Sequence, residues 1–588
     1  MLLTMGKRCF FFILLLFFCA LSSVYAETQV DVQVNGVSSE LQKNIMAFLT
    51  IAQQKSYPDL SEEGVRRLFN KGPNEIRKAL EPFGYYRSTI QSKLEQHGNS
   101  WTAYYTVDPG PPLKIVDIDV RIEGEGEKDP QFEKLVKSFP LSVDQIMDQR
   151  KYENAKSEFQ QLASERGYFD AKFSRSEILI DMKNYTASVF LYFDTGPRYR
   201  FGRVIFEQDT FRTSFLQRFV GFKQGQPYTL SALLDLQNAL IDSDYFRQVD
   251  VAMRQDLTEG LEVPVGVKLV PQNATKYSAG VGYGTDTGAR ASLGVERRYI
   301  NRSGHRWSAI WKVSQIGNSI NARYVIPLGH PNTDQLNLSA GREEERVNDT
   351  LSRKWLISTS YTRLDHGWQK TLFLNYQREL YKLGTEQSPI SILVLPGINW
   401  TRINANNRLD TTFGNRFLIE FRGASKTLGS NTSFFQTRLG IKLIRSYEKK
   451  NRIIMRGDLG LTQMYENYDF STVPISMRFF AGGENSLRGY NYNSIGPRED
   501  GITVGGQYLA VGSIEYLRIL NEKWGLAAFF DMGDVENQFT LISRRIKRGV
   551  GVGVRYQSPV GPIRVDLAYR LVKAGEAQFF NITIGPEL

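Results

Sequence analysis

The residues whose types and spacing suggest chemistry lie toward the end of this 588-residue chain. A polar, glycine-rich stretch, Gly482-Gly483-Glu484-Asn485-Ser486-Leu487-Arg488-Gly489-Tyr490, separates alternating apolar segments, and Glu515 and Asp531 lie on the next two of these. One arginine and two carboxylates make ion pairs rather than catalysis. The guanidinium fork binds carboxylates bidentately and keeps its proton at neutral pH. In a polar loop, the plain alternative is a solvated surface arginine. Strand parity favours the pair. Glu515 shares a face with Gln507 and Ser513, opposite Tyr508, Ile514 and Tyr516; Asp531 lies opposite Trp524, Leu526, Ala528 and Phe530. If the apolar faces meet lipid, both carboxylates point inward, where an inward-folded Arg488 bridges or alternates between them. Gly489 then supplies a tight backbone turn and Tyr490 packs beside it.

Other chemistry is sparse. The histidines, His97, His305, His330 and His366, are scattered, and the sequence has no Cys/His spacing suited to zinc. Neither a phosphate-cradling G-x-x-x-x-G-K-[ST] nor a G-x-S-x-G elbow occurs. Gly549, Gly551 and Gly553 alternate with valines as a strand does. The basic run Arg544-Arg545-Ile546-Lys547-Arg548 lacks interleaved aromatics, which suits lipid headgroups or buried charge rather than nucleic acid. The expectation is a protein without enzymatic activity, metal, cofactor or nucleic-acid partner.

The elements that must position these residues begin with a leader. Lys7 and Arg8 precede an apolar run, Cys9–Leu21, and then Val24-Tyr25-Ala26, the layout of a secretory signal peptide over residues 1–26. The run is shorter than the ~20 residues a spanning helix needs, and Phe18 before Cys19 does not suit lipid attachment. Cleavage after Ala26 would remove both cysteines, so an exported chain would hold together without disulfides. Charge then divides the remainder. Residues 27–274 hold 30 Lys and Arg against 35 Asp and Glu, and residues 275–588 hold 41 against 27. A net −5 arm followed by a net +14 segment points to two environments.

The acidic arm repeats. Val30–Val34 alternates as a strand; Leu41, Ile45, Phe48 and Leu49 recur at helical spacing; Glu62–Leu80 reads as helix broken at Gly72-Pro73; and Ser88–Leu94 with Trp101–Val107 reads as a hairpin. Gly84-Tyr85-Tyr86 answers to Gly167-Tyr168-Phe169 and to Tyr245-Phe246, and Asp108-Pro109-Gly110-Pro111 to Asp194-Thr195-Gly196-Pro197. Three βααββ units are predicted, at 27–110, 111–196 and 197–273. A unit of this size and order resembles the POTRA domain, a resemblance that implies partner binding partly by strand addition at a sheet edge.

The basic segment, 274–588, alternates with period two. In Ile563–Leu571, Ile563, Val565, Leu567, Tyr569 and Leu571 share one face, and Arg564, Asp566, Ala568 and Arg570 the other. Trp307–Val313, Leu336–Ala340, Leu372–Gln377, Phe417–Phe421, Leu439–Ile444 and Val550–Tyr556 behave alike. A soluble antiparallel sheet alternates too, but so many strands after a leader, with Trp and Tyr near strand ends, predict a closed transmembrane barrel. Sixteen strands would leave about 20 residues for each strand and its connection. The predicted class is therefore α+β and all-β membrane.

Leu487-Arg488-Gly489-Tyr490, with Glu515 and Asp531-x-Gly533 on the following strands, resembles the sixth-loop lid lock of the Omp85 superfamily, and three POTRA-like units with the ending Ile584–Leu588 resemble its TamA branch. The terminal Leu588 departs from the aromatic ending common in outer-membrane proteins. The resemblance implies an insertase for β-barrel clients such as autotransporters. It would sit among outer-membrane lipids, with POTRA domains in the periplasm and a TamB-like partner anchored in the inner membrane. It also implies a lateral gate between the first and last barrel strands, here Tyr277, Gly280, Gly282 and Gly284 facing Phe580, Ile582, Ile584, Gly585 and Pro586. The three first-strand glycines weaken pairing or are ordinary inner-face glycines, and Pro586 cannot donate to a ladder. The competing readings are a two-partner-secretion-like polypeptide channel and a passive scaffold.

Overall fold

The computed structural model describes all residues except 1–28, 55–59, 99, 348, 384–388, 408–409, 449, 466–467, 545, 559–560, 572–577 and 585–588. The leader, and with it Cys9 and Cys19, lies outside the described residues, as do Gly585 and Pro586. The chain divides into two compact units. One comprises residues up to Gly202 with Gln224–Ala232 and Gln255–Val263; the other comprises Arg203–Lys223, Leu233–Arg254 and Pro264–Leu588.

The arm builds three three-stranded sheets. In the first, β1 (Gln29–Asn35) precedes helices α1 (Ser39–Phe48), α2 (Thr50–Gln53) and α3 (Glu62–Leu80), and the hairpin β2 (Thr89–His97) and β3 (Ser100–Asp108) follows. β3 is central, parallel to β1 and antiparallel to β2, so its inward side chains Trp101, Ala103, Tyr105 and Val107 form the floor of the core. Ser38 and Ser61 cap α1 and α3 by accepting from backbone N–H groups. The second sheet repeats the order with β4 (Lys114–Glu123), α4 (Pro130–Lys137), α5 (Gln149–Arg166), β5 (Lys172–Asp181) and β6 (Thr186–Asp194), β6 being central. The third has β7 (Arg200–Glu207), α6 (Thr213–Leu216), α7 (Leu230–Asp242), β8 (Phe246–Met253) and a central β9 (Glu262–Pro271).

The expected break at Gly72-Pro73 is absent: α3 runs through both residues. Proline lacks the N–H that would bond the Phe69 carbonyl, and the Tyr105 hydroxyl takes its place, donating to that carbonyl at 3.1 Å. Gly72 makes room for the ring, since a Cβ there would lie 2.2 Å from the Tyr105 oxygen. A long-range hydroxyl repairs the helix, which local sequence does not show. The aromatic signatures recur for a related reason. Gly84 and Gly167 end their helical segments in the left-handed conformation, and in the third repeat Asp244 adopts it with φ 58°. Asp244 also accepts from Arg298 Nε at 2.9 Å, which holds the side chain in place.

Residues 275–584 contain a closed antiparallel barrel of sixteen strands, the first Thr275–Gly284 and the last Gln578–Ile584. Its outer face is apolar and exposed, for example Trp355, Ile357, Leu372, Leu374, Leu439 and Ile441. No helix among the described residues is long and apolar enough to cross a membrane. The eleventh strand (Asn451–Met464) and twelfth (Tyr508–Ile519) are joined by the long segment 465–507. The stretch whose sequence reads as an inward-folded loop around 482–506 lies within this segment. The segment's first part buries Phe470, Val473 and Met477 against Leu393, Leu395 and Phe434, which face inward from the strands. Those apolar residues carried no loop signature in the sequence.

A buried arginine lock and a lightly paired seam

The lock is assembled on the twelfth strand, the thirteenth (Trp524–Glu536), the fourteenth (Lys547–Ser558) and the fifteenth (Gly561–Arg570). Strand alternation turns Ser513, Glu515, Phe529, Asp531, Arg555 and Asp566 inward. Arg488 Nε and Nη2 donate to the two oxygens of Asp531 at 2.7 and 2.8 Å, and its backbone N–H adds a third bond at 3.0 Å. Nη1 donates to Glu515 at 2.5 Å, and Nη2 also reaches Ser513 Oγ at 3.2 Å. The guanidinium lies over the Phe529 ring with Cζ 3.4 Å from its centroid. Arg488 is 2% exposed and Asp531 fully buried, so the arginine is no surface residue.

Two further charges complete the cluster. Arg555 donates to the other Glu515 oxygen at 2.7 and 3.1 Å and to Asp566 at 2.6 Å, while Asp566 stands 3.5 Å from Arg488. Two guanidinium groups thus share three carboxylates. A carboxylate removed from water without such partners would be strongly destabilising. Arg555 and Asp566 were legible as inward-facing positions in alternating runs, but nothing local marks them as partners of Arg488.

The motif neighbours fix the backbone. Gly489 has φ 92°, and its carbonyl accepts from Arg570 Nε at 2.7 Å. A Cβ on Gly549 would lie 2.1 Å from the Arg488 carbonyl oxygen, so that strand glycine admits the loop. Leu487 and Tyr490 pack with Phe479, Ala481, Ile495, Leu509 and Val535, and Arg570 stacks on the Tyr490 ring at 4.9 Å. In the nearby basic run, Lys547 Nζ bonds Asp534 at 2.5 Å. No group of three or more metal-ligating side chains occurs among the described residues. What this arrangement can do is hold a loop in place until several ionic bonds break together.

The same loop reaches the barrel seam. Among the described residues, the first and last strands pair at one position, Gly284 with Thr583. Every other neighbouring pair shares seven or more. Thr285 adds a backbone bond to the Ile582 carbonyl at 3.2 Å and accepts from the Ile582 N–H through its hydroxyl at 2.8 Å. Tyr277 and Val281, on the first strand, are 80% and 92% exposed, and Phe580 on the last is exposed too.

Loop residue Glu484 clasps this seam. Its carboxylate accepts from the Thr583 hydroxyl on the last strand, and its backbone N–H donates to Asp286, in the first hairpin, at 2.7 Å. The first-strand glycines make room for cross-seam side chains. A Cβ on Gly284 would meet Glu484 Oε1 at 3.2 Å, and one on Gly282 would meet Arg290 Nε at 2.9 Å. Arg290 passes over Gly282 to donate to the Ile584 carbonyl at 3.0 Å. A Cβ on Gly280 would lie 2.9 Å from Ser292 Oγ, its partner on the second strand rather than across the seam. Burial pushes the Asp286 carboxyl up to about 6, the nearby Glu484 charge adding to the effect and its N–H bond opposing it. Glu484, Asp286 and Thr583 carried no sequence signal, because their two contacts join residues 198 and 99 positions apart.

Comparison with known proteins supports this architecture. A family model described as the Omp85 superfamily domain matches residues 273–587. One described as POTRA domain TamA domain 1 matches 31–109, and a POTRA model described as a surface antigen variable number repeat matches 199–270. Outer membrane protein assembly factor BamA of Nitratidesulfovibrio vulgaris is 26% identical over 349 residues, 56% of this chain and 43% of the relative. BamA of Neorickettsia risticii is 23% identical over 398 residues, 62% and 51% of the two chains. The chain thus spans about half the length of these curated relatives. The crystal structure of BamA from Haemophilus ducreyi lacking POTRA domains 1–3 superposes with a TM-score of 0.67 at 19% identity, over 80% of this chain and 99% of that one. The barrel belongs in the bacterial outer membrane and the POTRA domains in the periplasm. With the barrel match extending over more than half its length, the chain is a member of the Omp85 superfamily.

Proposed function

We propose that this protein inserts and helps secrete β-barrel clients, such as autotransporters, through a lateral gate between its first and last barrel strands. Three POTRA domains, 27–110, 111–196 and 197–273, receive clients and a TamB-like periplasmic partner anchored in the inner membrane. No step is enzymatic: an incoming strand exchanges backbone hydrogen bonds with an exposed sheet edge. The observation that carries this reading is the seam, paired among the described residues at Gly284 and Thr583 alone, with Tyr277 and Val281 facing outward beside it. The Arg488 lock holds the long loop inside, and Glu484 ties that loop to both sides of the seam.

A covalent lock tests the gate. Thr285→Cys and Ile582→Cys replace two hydrogen-bonded neighbours across the seam, in a chain whose natural cysteines precede Ala26. Oxidation should stop client insertion into proteoliposomes and reduction should restore it. Full insertion through the oxidised seam rejects the gate, and would favour either threading through the lumen or a passive scaffold.

A further inference from the structure

Glu379 faces inward from the seventh strand (Trp368–Leu383) and is fully buried. A carboxylate taken out of water must be surrounded by donors. Ser352, on the sixth strand (Thr350–Asp365), donates to it at 2.8 Å, and Gln377 donates at 2.9 Å. Two more bonds come from the long loop, one from the Ser476 N–H at 3.3 Å and one from the Ser476 hydroxyl. Gln377 donates to that hydroxyl in turn at 2.9 Å. Glu379 thus ties the barrel wall to the loop beside the apolar contacts of Phe470, Val473 and Met477.

The outgoing and returning arms of the loop are joined in the same region. Arg478 is buried, and its guanidinium donates to the carbonyls of Ser471 and Val473 on the outgoing arm, each at 2.7 Å, and of Val504 on the return at 3.1 Å. Buried carbonyls need such donors, and a planar fork serves several at once. Reciprocal backbone bonds pair Phe479 with Gly506 and Ala481 with Ile495. The segment between, 482–494, is held differently. Gly482 and Gly483 open it in the left-handed region, with φ 103° and 98°. Its Glu484 and Arg488 N–H groups bond Asp286 and Asp531 of the barrel, and its side chains reach the seam and the twelfth and thirteenth strands. A cavity of about 570 Å³ adjoins it, lined by its Asn485 and Tyr492 and by Ser476 and Arg478. Close-packed interiors leave few such voids, so this segment has room to shift.

We infer that the loop is two mechanical parts: a base, residues 470–481 with 495–506, and a tip, 482–494, that is released alone. Glu379 anchors the base to the sixth and seventh strands, and Arg478 staples its two arms together. Breaking the Arg488 bonds frees the tip, and with it the Glu484 clasp, while the base stays in the lumen. Leu487 and Tyr490 leave only apolar, non-directional packing behind. The division concerns which residues move together, so it does not depend on the gate.

Amide hydrogen exchange tests the division, read by mass spectrometry on overlapping peptides of the full chain in neutral detergent micelles. In Arg488→Ala the tip amides should exchange about tenfold faster or more, and the base amides within about twofold of wild type. Ser476→Ala and Glu379→Gln act at the anchor instead and should speed exchange of the base about threefold or more. Equal acceleration of base and tip in Arg488→Ala would make the loop one body and overturn the division. An unchanged tip in that variant would overturn it too, as would unchanged base exchange in both anchor variants. Ser476→Ala carries the anchor test if Glu379→Gln fails to fold, and Arg488→Lys carries the tip test if Arg488→Ala fails.

Discussion

Arg488 is held from every side of its planar group, which makes it the residue most sensitive to change. Removing it leaves the fully buried Asp531 without a cation and Glu515 with Arg555 alone. Arg488→Ala is therefore expected to cost about 3–5 kcal/mol of barrel stability, seen as a lower temperature for the heat-dependent gel shift. Arg488→Lys restores charge but not the fork, and should recover only part. Equal heat stability and unchanged protease resistance of the loop in Arg488→Ala would contradict the lock. The motif and the parity of its two carboxylates were readable because alternation is a local signal. Alternation also placed Arg555 and Asp566 inward, but not as partners of this cluster, because ion-pair partners are chosen by barrel closure rather than by spacing.

Asp286 offers a pH handle at the same scale. Its carboxyl is raised to about 6, so ionisation is less favourable in the folded protein than in the unfolded chain. That penalty is absent at low pH, grows as pH rises through the interval between the ordinary carboxylate value and about 6, and is constant above. Asp286→Asn keeps an acceptor for the Glu484 N–H without the charge. Relative to wild type it should be more stabilising at pH 7 than at pH 4, measured as the difference in melting temperature. A difference independent of pH would show that Asp286 carries no such penalty.

Among the elements, α3 illustrates what periodicity cannot supply. Its amphipathic pattern predicts helix on both sides of Pro73, and the proline predicts a break. The Tyr105 hydroxyl bond to Phe69 and the space above Gly72 decide for continuity. Tyr105→Phe should cost about 1–2 kcal/mol by leaving that carbonyl unsatisfied, measured by denaturant unfolding of the full chain's periplasmic signal. No loss of stability would mean that water or another donor serves the carbonyl. Elsewhere the element-level reading rested on stronger cues. Strand alternation located the barrel segments, while the first part of the inward loop escaped notice because its Phe470, Val473 and Met477 look like core residues, which they are.

For the whole molecule, the charge division and the leader-like start pointed to an arm and a barrel, and the barrel closes with the expected sixteen strands. The seam was the least legible feature. Three glycines in the first strand read either as weakness or as ordinary inner-face glycines, and the structure gives two of them, Gly282 and Gly284, a role as passages for Arg290 and Glu484 across the junction. A loop held by Arg488 and clasped to the seam by Glu484, four residues earlier, would couple loop and seam mechanically, so an opened seam should be accompanied by a loosened loop.

Site-specific crosslinking tests the central claim most directly. A photoreactive residue is placed at Val281 or Phe580 beside the seam, or at Asn485 on the lumen cavity, and a client is trapped during assembly. The account predicts client adducts from Val281 and Phe580 and few from Asn485. Adducts from Asn485 alone, with none from the two seam positions, would contradict it.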